Sequence, residues 1–345
     1  MPDFQSMSAW GLGTVFLASA AVVWFAGVRL TMTVDRLADR TGMGHAFAGM
    51  VLLASLTSLP EIATVGTAAS VGNPSLAIAN LLGSASINLV LLAVFYPLIG
   101  AGAMTGFVAK PTTLYQGVLS LMILVFAAVA IVVGDYQIAG VGLWTTSLAV
   151  FAVISFRASA RYERREVWAA VAGDRGESPV EPEEEARPTS LTRLWTITLI
   201  AGAFIFVAGS LLALTGEAIA ERSGLGDSFT GFLLVGFSTS LTEMSAIITA
   251  YRIRRYELAV GDIFGTNIFN TALLLMADLL NPQAPILNQT GRFEAAAALL
   301  GALMTGVFVL GLLERRDKTI LRMGYDSVLV IILFLGGTAL LYRLG

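Results

Sequence analysis

Two acidic residues stand where an apolar stretch should have none. Glu61 closes the segment LTSLPE at 56–61, and Glu243 closes STSLTE at 238–243. Residues 46–56 (AFAGMVLLASL) are almost free of polar groups, and 62–71 (IATVGTAASV) carry no charge. Each glutamate follows a threonine by four positions, Thr57 or Thr239, so on a helix the two groups share a face. Ser58 and Ser240 add hydroxyls. Further on, Ser84 and Asn88, and again Thr266 and Asn270, lie four apart and present a hydroxyl and an amide on one face. Pro60 has no amide proton and clashes with the preceding turn, which frees carbonyls near Leu56 and Thr57. Gathered together, these groups form a cage of oxygens with two carboxylates and no nitrogen or sulfur ligand. Such a cage suits a hard cation: Ca2+ takes six to eight oxygens at about 2.3–2.6 Å, and two carboxylates balance its charge. The hydroxyls, amides and carbonyls can instead hold Na+. Unpaired glutamates at mid-membrane are costly, by several kcal/mol, so these two are expected to be either cation-bound or protonated. That mutual exclusion is what antiport requires, because an empty, charged site should not reorient.

The elements that must position these groups are membrane helices. Of 345 residues, 56% are hydrophobic and 13% charged, against about a quarter charged in a soluble domain. The mean hydropathy is +0.78. A helix needs about 20 apolar residues to cross a bilayer. Ten stretches qualify: 9–28, 44–70, 74–98, 113–133, 137–156, 194–214, 228–251, 256–280, 293–313 and 325–342. The N-terminal MPDFQSMSAW lacks a basic run, so the first stretch reads as a span rather than a cleaved signal. A net charge of −3 offers no basic surface for nucleic acid, and with no cysteine and one histidine, His45, a thiolate or histidine metal site has almost nothing to build from. His45 reads as an interfacial or loop side chain. Residues 157–193, with RYERRE and ESPVEPEEEARP, read as a flexible linker. Placing the N-terminus outside puts 18 of the 21 Lys and Arg residues in inward loops, the positive-inside bias. The expectation is a multi-pass cell-membrane protein with both termini extracytoplasmic and 157–193 cytoplasmic.

A shift of 182 residues lays Thr57, Ser58, Leu59 and Glu61 on Thr239, Ser240, Leu241 and Glu243. The same shift, without a gap, lays LAIANLLGSASIN (76–88) on LAVGDIFGTNIFN (258–270), pairing Gly83 with Gly265, Ser84 with Thr266 and Asn88 with Asn270. Five spans fit within the shift. An odd number means that the second copy crosses in the opposite sense, an inverted-topology repeat of the kind found in secondary transporters. The fold expected is an all-α integral membrane protein of ten transmembrane helices in two five-helix repeats, 1–156 and 194–345, carrying their motifs at 54–88 and 236–270. Asp262, aligned with Asn80, reads as a structural or hydrogen-bonding group rather than a ligand.

TSLPE with GSASIN, and STSLTE with GTNIFN, resemble the two alpha-repeats of the Ca2+:cation antiporter superfamily, specifically the sodium/calcium exchangers. The resemblance spans essentially the whole chain. It implies a central Ca2+ site on Glu61 and Glu243 with the backbones of Thr57 and Thr239. It implies flanking Na+ sites on Ser58, Ser240, Ser84, Thr266, Asn88 and Asn270, capped by the carbonyls of Ala54 and Gly236. It also implies that the first and sixth helices slide across the other eight. Asn at both last ligand positions implies no K+ requirement. Ca2+ and Na+ are then transported ions rather than cofactors, the bilayer is the other partner, no resident cofactor is expected, and a monomer suffices. Five positions depart from the family pattern: Leu56 and Ser238 replace a glycine, and Thr242 replaces the second proline. Ala85 and Ser86 stand where Asn and an apolar residue are usual.

Two other classes fit less well. The same glutamates could exchange Ca2+ or another divalent cation for protons, but a proton swap needs only the carboxylates and leaves the flanking hydroxyls without a role. An intramembrane protease is not expected. AVGDIFG has Ala259 where the G-x-G-D context of the aspartyl type needs glycine, no partner aspartate occupies an apolar helix in the first half, and the rhomboid G-x-S-G is absent.

Overall fold

A computed structural model describes residues 4, 6–99, 111–138, 140–163, 190–222, 227–281, 285–314, 319–320 and 323–344. Its helices are α1 (Ala9–Thr41), α2 (His45–Thr57 followed by Leu59–Ser70), α3 (Pro74–Ile99), α4 (Pro111–Val133) and α5 (Leu143–Glu163), then α6 (Leu191–Glu221), α7 (Asp227–Thr239 followed by Leu241–Arg252), α8 (Tyr256–Leu280), α9 (Arg292–Glu314) and α10 (Tyr325–Leu341). Seven are long and apolar enough to cross a membrane unbroken, α2 and α7 are bent pairs, and α10 is a shorter apolar helix. Large apolar side chains such as Trp10, Phe25, Val132, Phe204 and Leu310 stay exposed on the outer faces, as they should where the solvent is lipid.

The 182-residue shift runs through the whole architecture. It carries Ala9 to Leu191, Leu59 to Leu241, Pro74 to Tyr256 and Leu143 to Tyr325, all helix starts. It also carries a two-residue hairpin, Gln137 opposite Gly142 and Ile138 opposite Val141, onto a second one, Thr319 opposite Gly324 and Ile320 opposite Met323.

Each broken helix packs on the third helix of the other repeat, and glycine makes the approach possible. A β-carbon on Gly265 of α8 would run into the Met50 carbonyl of α2, and one on Gly83 of α3 would run into the Phe232 carbonyl of α7. Met50 and Phe232 are themselves 182 apart. Reciprocally, a β-carbon on Gly49 would strike the Leu258 carbonyl, and one on Gly231 would lie 2.7 Å from the Leu76 carbonyl. At these contacts α2 and α7 widen into π-helix, over Gly49–Leu53 and Thr230–Val235. Such bulges leave helix backbone groups without their usual partners and recur at functional sites. α3 and α8 are the innermost helices. α1 and α6 pack against one another at one side, α1 also on the second half of α7 and α6 on the second half of α2.

Several boundaries differ from the sequence reading, among them the end of α6, which runs to Glu221 rather than 214. α1 does not stop near residue 28 but runs to Thr41, ending at Gly42 with φ of 69°. Its polar end survives because Asp35 and Asp39 meet His45 and Arg255. The fifth span begins at Leu143, not at 137. Gly134 and Gly140 adopt left-handed φ of 82° and 87° and turn the chain through the hairpin, and the Asp135 carboxylate accepts the Trp144 amide at 2.8 Å at the new helix start. Residues 157–163 of the expected linker continue α5, and 164–189 lie outside the described residues.

Candidate functional site

The breaks in α2 and α7 bend the chain by 46° and 42°. At each, a serine adopts ψ near zero: Ser58 at φ −79°, ψ 8° and Ser240 at φ −69°, ψ 0°, far from the helical ψ of about −42°. The preceding half-helix ends on Thr57 or Thr239. The following one carries Glu61 or Glu243 in its first turn, where exposed N–H groups and the helix dipole favour a carboxylate. The second break is nearly as sharp as the first although Thr242 replaces proline, so a bend of this kind does not require a proline. Both breaks share the serine and the upstream π-turn.

The twelve expected site positions are all buried. Glu61, Thr57, Ser58, Ser84, Asn88, Ala54, Glu243, Thr239, Ser240, Thr266 and Asn270 are each at most 1% exposed, and Gly236 is buried with them. One cluster joins the repeats directly. Ser84 Oγ lies 3.4 Å from Glu61 Oε1 and 3.2 Å from Thr239 Oγ1. The Thr239 hydroxyl is also within 3.4 Å of Asn80 Oδ1 and 3.2 Å of the Gly236 carbonyl. On the other side, the Thr57 hydroxyl reaches Asp262 Oδ1 at 3.2 Å and the Ala54 carbonyl at 3.3 Å. The Ala54 and Gly236 carbonyls also accept the amides of Ser58 and Ser240, at 3.1 and 3.0 Å, so any further ligation by them competes with donors already in place.

The remaining members are buried without a protein partner. They are both carboxylate oxygens of Glu243, Oε2 of Glu61, the hydroxyls of Ser58, Ser240 and Thr266, and the whole side-chain amides of Asn88 and Asn270. Buried polar groups are nearly always hydrogen-bonded, and each orphan costs about 1–3 kcal/mol. Their concentration at two helix breaks fits a cage that binds something charged. The protein supplies no counter-charge of its own there: the buried polar and charged side chains among the described residues include no Lys, Arg or His. Oxygen donors, two glutamates and no soft ligand match a hard cation.

The two glycine-replacing positions do not line this cage. Leu56 turns toward α6, where its Cδ2 would stand 3.1 Å from a β-carbon on Gly202. Ser238 faces Gly216 of α6 and returns its hydroxyl to the Leu234 carbonyl at 2.9 Å. Asp262 takes the hydrogen-bonding role expected of it, accepting from Thr57, and its aligned partner Asn80, to which the sequence assigned no role, accepts from Thr239. Both are fully buried. The signal was present in the spacing 80, 84, 88 and 262, 266, 270, one helix face in each repeat. Asn267, next to Thr266, is a further buried amide without a partner.

A ten-helix membrane chain in two inverted repeats, with paired carboxylates at its helix breaks, has the build of a secondary antiporter. The family model described as sodium/calcium exchanger protein matches residues 11–157 and 193–343, and the chain belongs to that family. It is 26% identical over 339 residues to CaxA of Alkalimonas amylolytica, named for antiport, covering 96% of this chain and 99% of that one. It is 27% identical over 268 residues to the inner membrane protein YrbG of Escherichia coli strain K12, covering 76% and 77% of the two chains. Among solved structures, the sodium-calcium exchanger NCX_Mj soaked with Na+ and Sr2+ superposes with a TM-score of 0.68 at 20% identity, covering 96% of this chain and 99% of that one. That likeness speaks for the fold.

Proposed function

We propose that this protein exchanges Na+ for Ca2+ across the membrane by alternating access. Ca2+ binds between Glu61 and Glu243 with the oxygens of Thr57 and Thr239. Na+ occupies flanking sites that draw on Ser58, Ser240, Ser84, Thr266, Asn88 and Asn270, with the carbonyls of Ala54 and Gly236 at the edges. The carrying observation is that two buried glutamates, related by the internal repeat, stand among orphaned hydroxyl and amide oxygens with no buried cationic side chain to neutralise them. Na+ is favoured over protons as the driving ion because a proton exchange would leave those hydroxyls and amides unused. The positive-inside bias of the loops supports an orientation with both termini outside the cytoplasm.

The test is 45Ca2+ uptake into proteoliposomes loaded with Na+ and diluted into choline, with and without a proton ionophore, and with Glu243→Gln as control. Uptake that requires internal Na+, ignores the ionophore and vanishes in the variant is the expected result. Uptake that ignores Na+ and follows an imposed pH gradient would transfer the protein to Ca2+/H+ antiport.

A further inference from the structure

The repeat is broken at one chemically decisive position. Thr239 donates toward Asn80, an amide, while its counterpart Thr57 donates toward Asp262, a carboxylate. Asp262 is fully buried, and its second oxygen, Oδ2, has no partner. Asp262, Thr266 and Asn270 recur every four residues along α8, so the aspartate stands on the face that carries the hydroxyl and amide of the second-repeat flank. The equivalent face of α3 carries Asn80, Ser84 and Asn88 and no charge. The cage therefore holds three carboxylates rather than two, the third confined to one flank.

We propose that Asp262 is a cation ligand of that flank, making it an anionic Na+ site formed with the oxygens of Thr57 and of Thr266 one turn further along α8, while the flank at Asn80 and Ser84 stays neutral. This rests on the exchange reading given above. The two glutamates already match the charge of one Ca2+. The third carboxylate is best matched by one monovalent cation, so it acts mainly on the number and affinity of the Na+ ions that displace Ca2+. Its Oδ1 holds the Thr57 hydroxyl and its Oδ2 remains free to ligate.

The experiment is equilibrium binding of 45Ca2+ to the purified full-length protein in detergent, followed by displacement with NaCl at constant ionic strength. Wild type, Asp262→Asn and the charge-swapped pair Asp262→Asn with Asn80→Asp are compared, and folding is checked by size-exclusion chromatography. Asp262→Asn should lower the Hill slope for Na+ by about one and weaken Na+ binding about tenfold, while Ca2+ affinity in the absence of Na+, set mainly by the two glutamates, falls by a smaller factor. The swapped pair should regain most of the slope, since it restores the charge on the mirror flank. An unchanged Na+ slope and midpoint in Asp262→Asn would overturn the proposal. Equal losses of Ca2+ and Na+ affinity that the swap does not repair would overturn it too, leaving Asp262 as a holder of Thr57. Wild-type protein that binds Ca2+ but does not release it to Na+ would instead bring down the exchange reading, and this inference with it.

Discussion

The hydroxyls of Ser84 and Thr239 lie 3.2 Å apart although the residues are separated by 155 positions in the chain. This contact ties the third helix of one repeat to the break in the other, and Glu61 touches it through Ser84. Ser84→Ala removes a group shared by both repeats. Thr266→Ala removes its counterpart, a hydroxyl with no protein partner. Losing one buried ligand hydroxyl corresponds to about tenfold in affinity. Each variant should therefore slow Na+-driven 45Ca2+ uptake by about that factor and slow uptake driven by a pH gradient much less. Equal losses under the two gradients would remove the hydroxyls from the Na+ sites.

Glu243 has neither carboxylate oxygen bonded to protein, so its charge is tolerated only with a bound cation. Glu243→Gln and Glu61→Gln should abolish Ca2+ transport. They should also raise the thermal stability of the protein in buffer free of Na+ and Ca2+, because glutamine needs neither a cation nor a proton to be buried there. Ca2+ at 100 times its dissociation constant should stabilise the wild type by about 2.7 kcal/mol and leave both variants unmoved. Scanning fluorimetry with and without Ca2+ reads both effects. A Ca2+-induced shift that survives in Glu243→Gln would place the cation elsewhere.

Much of this fold is written in its sequence because the bilayer imposes length and polarity rules on every span and the repeat writes them twice. The constant shift finds Glu61 with Glu243 and Gly83 with Gly265 without any structure. What it could not assign is the partner of Asp262. One carboxylate aligned with one amide reads as a structural or hydrogen-bonding group, and its partner stays unknown until the hydroxyl of Thr57, from the other repeat, is seen beside it. The ends of α1 and α5 were hidden for a different reason. Hydropathy reports the hydrocarbon boundary, whereas a helix ends where the backbone changes conformation. Gly42 and the Gly134–Gly140 turn do that well away from the apolar limits. The break in α7 lacks the proline that marks α2, and only backbone torsions disclose it.

Gly83 and Gly265 carry the close approach of the broken helices to α3 and α8. A methyl group at either meets a backbone carbonyl, which cannot swing aside as a side chain can. Gly83→Ala and Gly265→Ala should each destabilise the protein by about 1–3 kcal/mol or more through overpacking, and the displaced helix should take its site threonine with it. Gly13→Ala is the matching control, because a β-carbon there meets nothing within 4 Å. It should be neutral or slightly stabilising, as for any glycine in a helix interior. Thermal unfolding of the three variants tests this, and a Gly265 variant as stable as the Gly13 variant would refute the packing account.

Arg255 places Nε 2.8 Å from Asp35 and Nη2 3.2 Å from Asp39, and His45 Nε2 lies 3.0 and 3.2 Å from the same two carboxylates. The four side chains pin the polar end of α1 to the start of α2 and to the turn between α7 and α8. Although three acidic and imidazole groups converge, the guanidinium already serves both carboxylates, so the cluster reads as an ion-pair clasp. Arg255→Gln should lower stability by about 1 kcal/mol at low salt. That loss should shrink as ionic strength rises past about 0.1 M. A salt-independent loss would mean that packing of the arginine stem, not charge, holds the clasp.

Gly209 of α6 lies under Pro60, and Gly27 of α1 lies under Ser245, a pair of contacts related by the same 182-residue shift on the glycine side. At each, α6 or α1 passes the second half of a broken helix with no side chain between them. If the α1–α6 pair moves across the other helices during transport, these are smooth bearing points, and a methyl group would catch. Gly209→Ala is the sharper test, because a new β-carbon would stand 2.9 Å from Pro60 Cβ, within a ring that has no rotamer to escape into. The variant should lose about tenfold or more in the rate of Na+-driven uptake while keeping equilibrium 45Ca2+ binding within about threefold, the signature of an impeded conformational step rather than a damaged site. Binding and rate falling together would make the contact structural. A rate unchanged from wild type would show that α6 does not travel past Pro60 in the cycle.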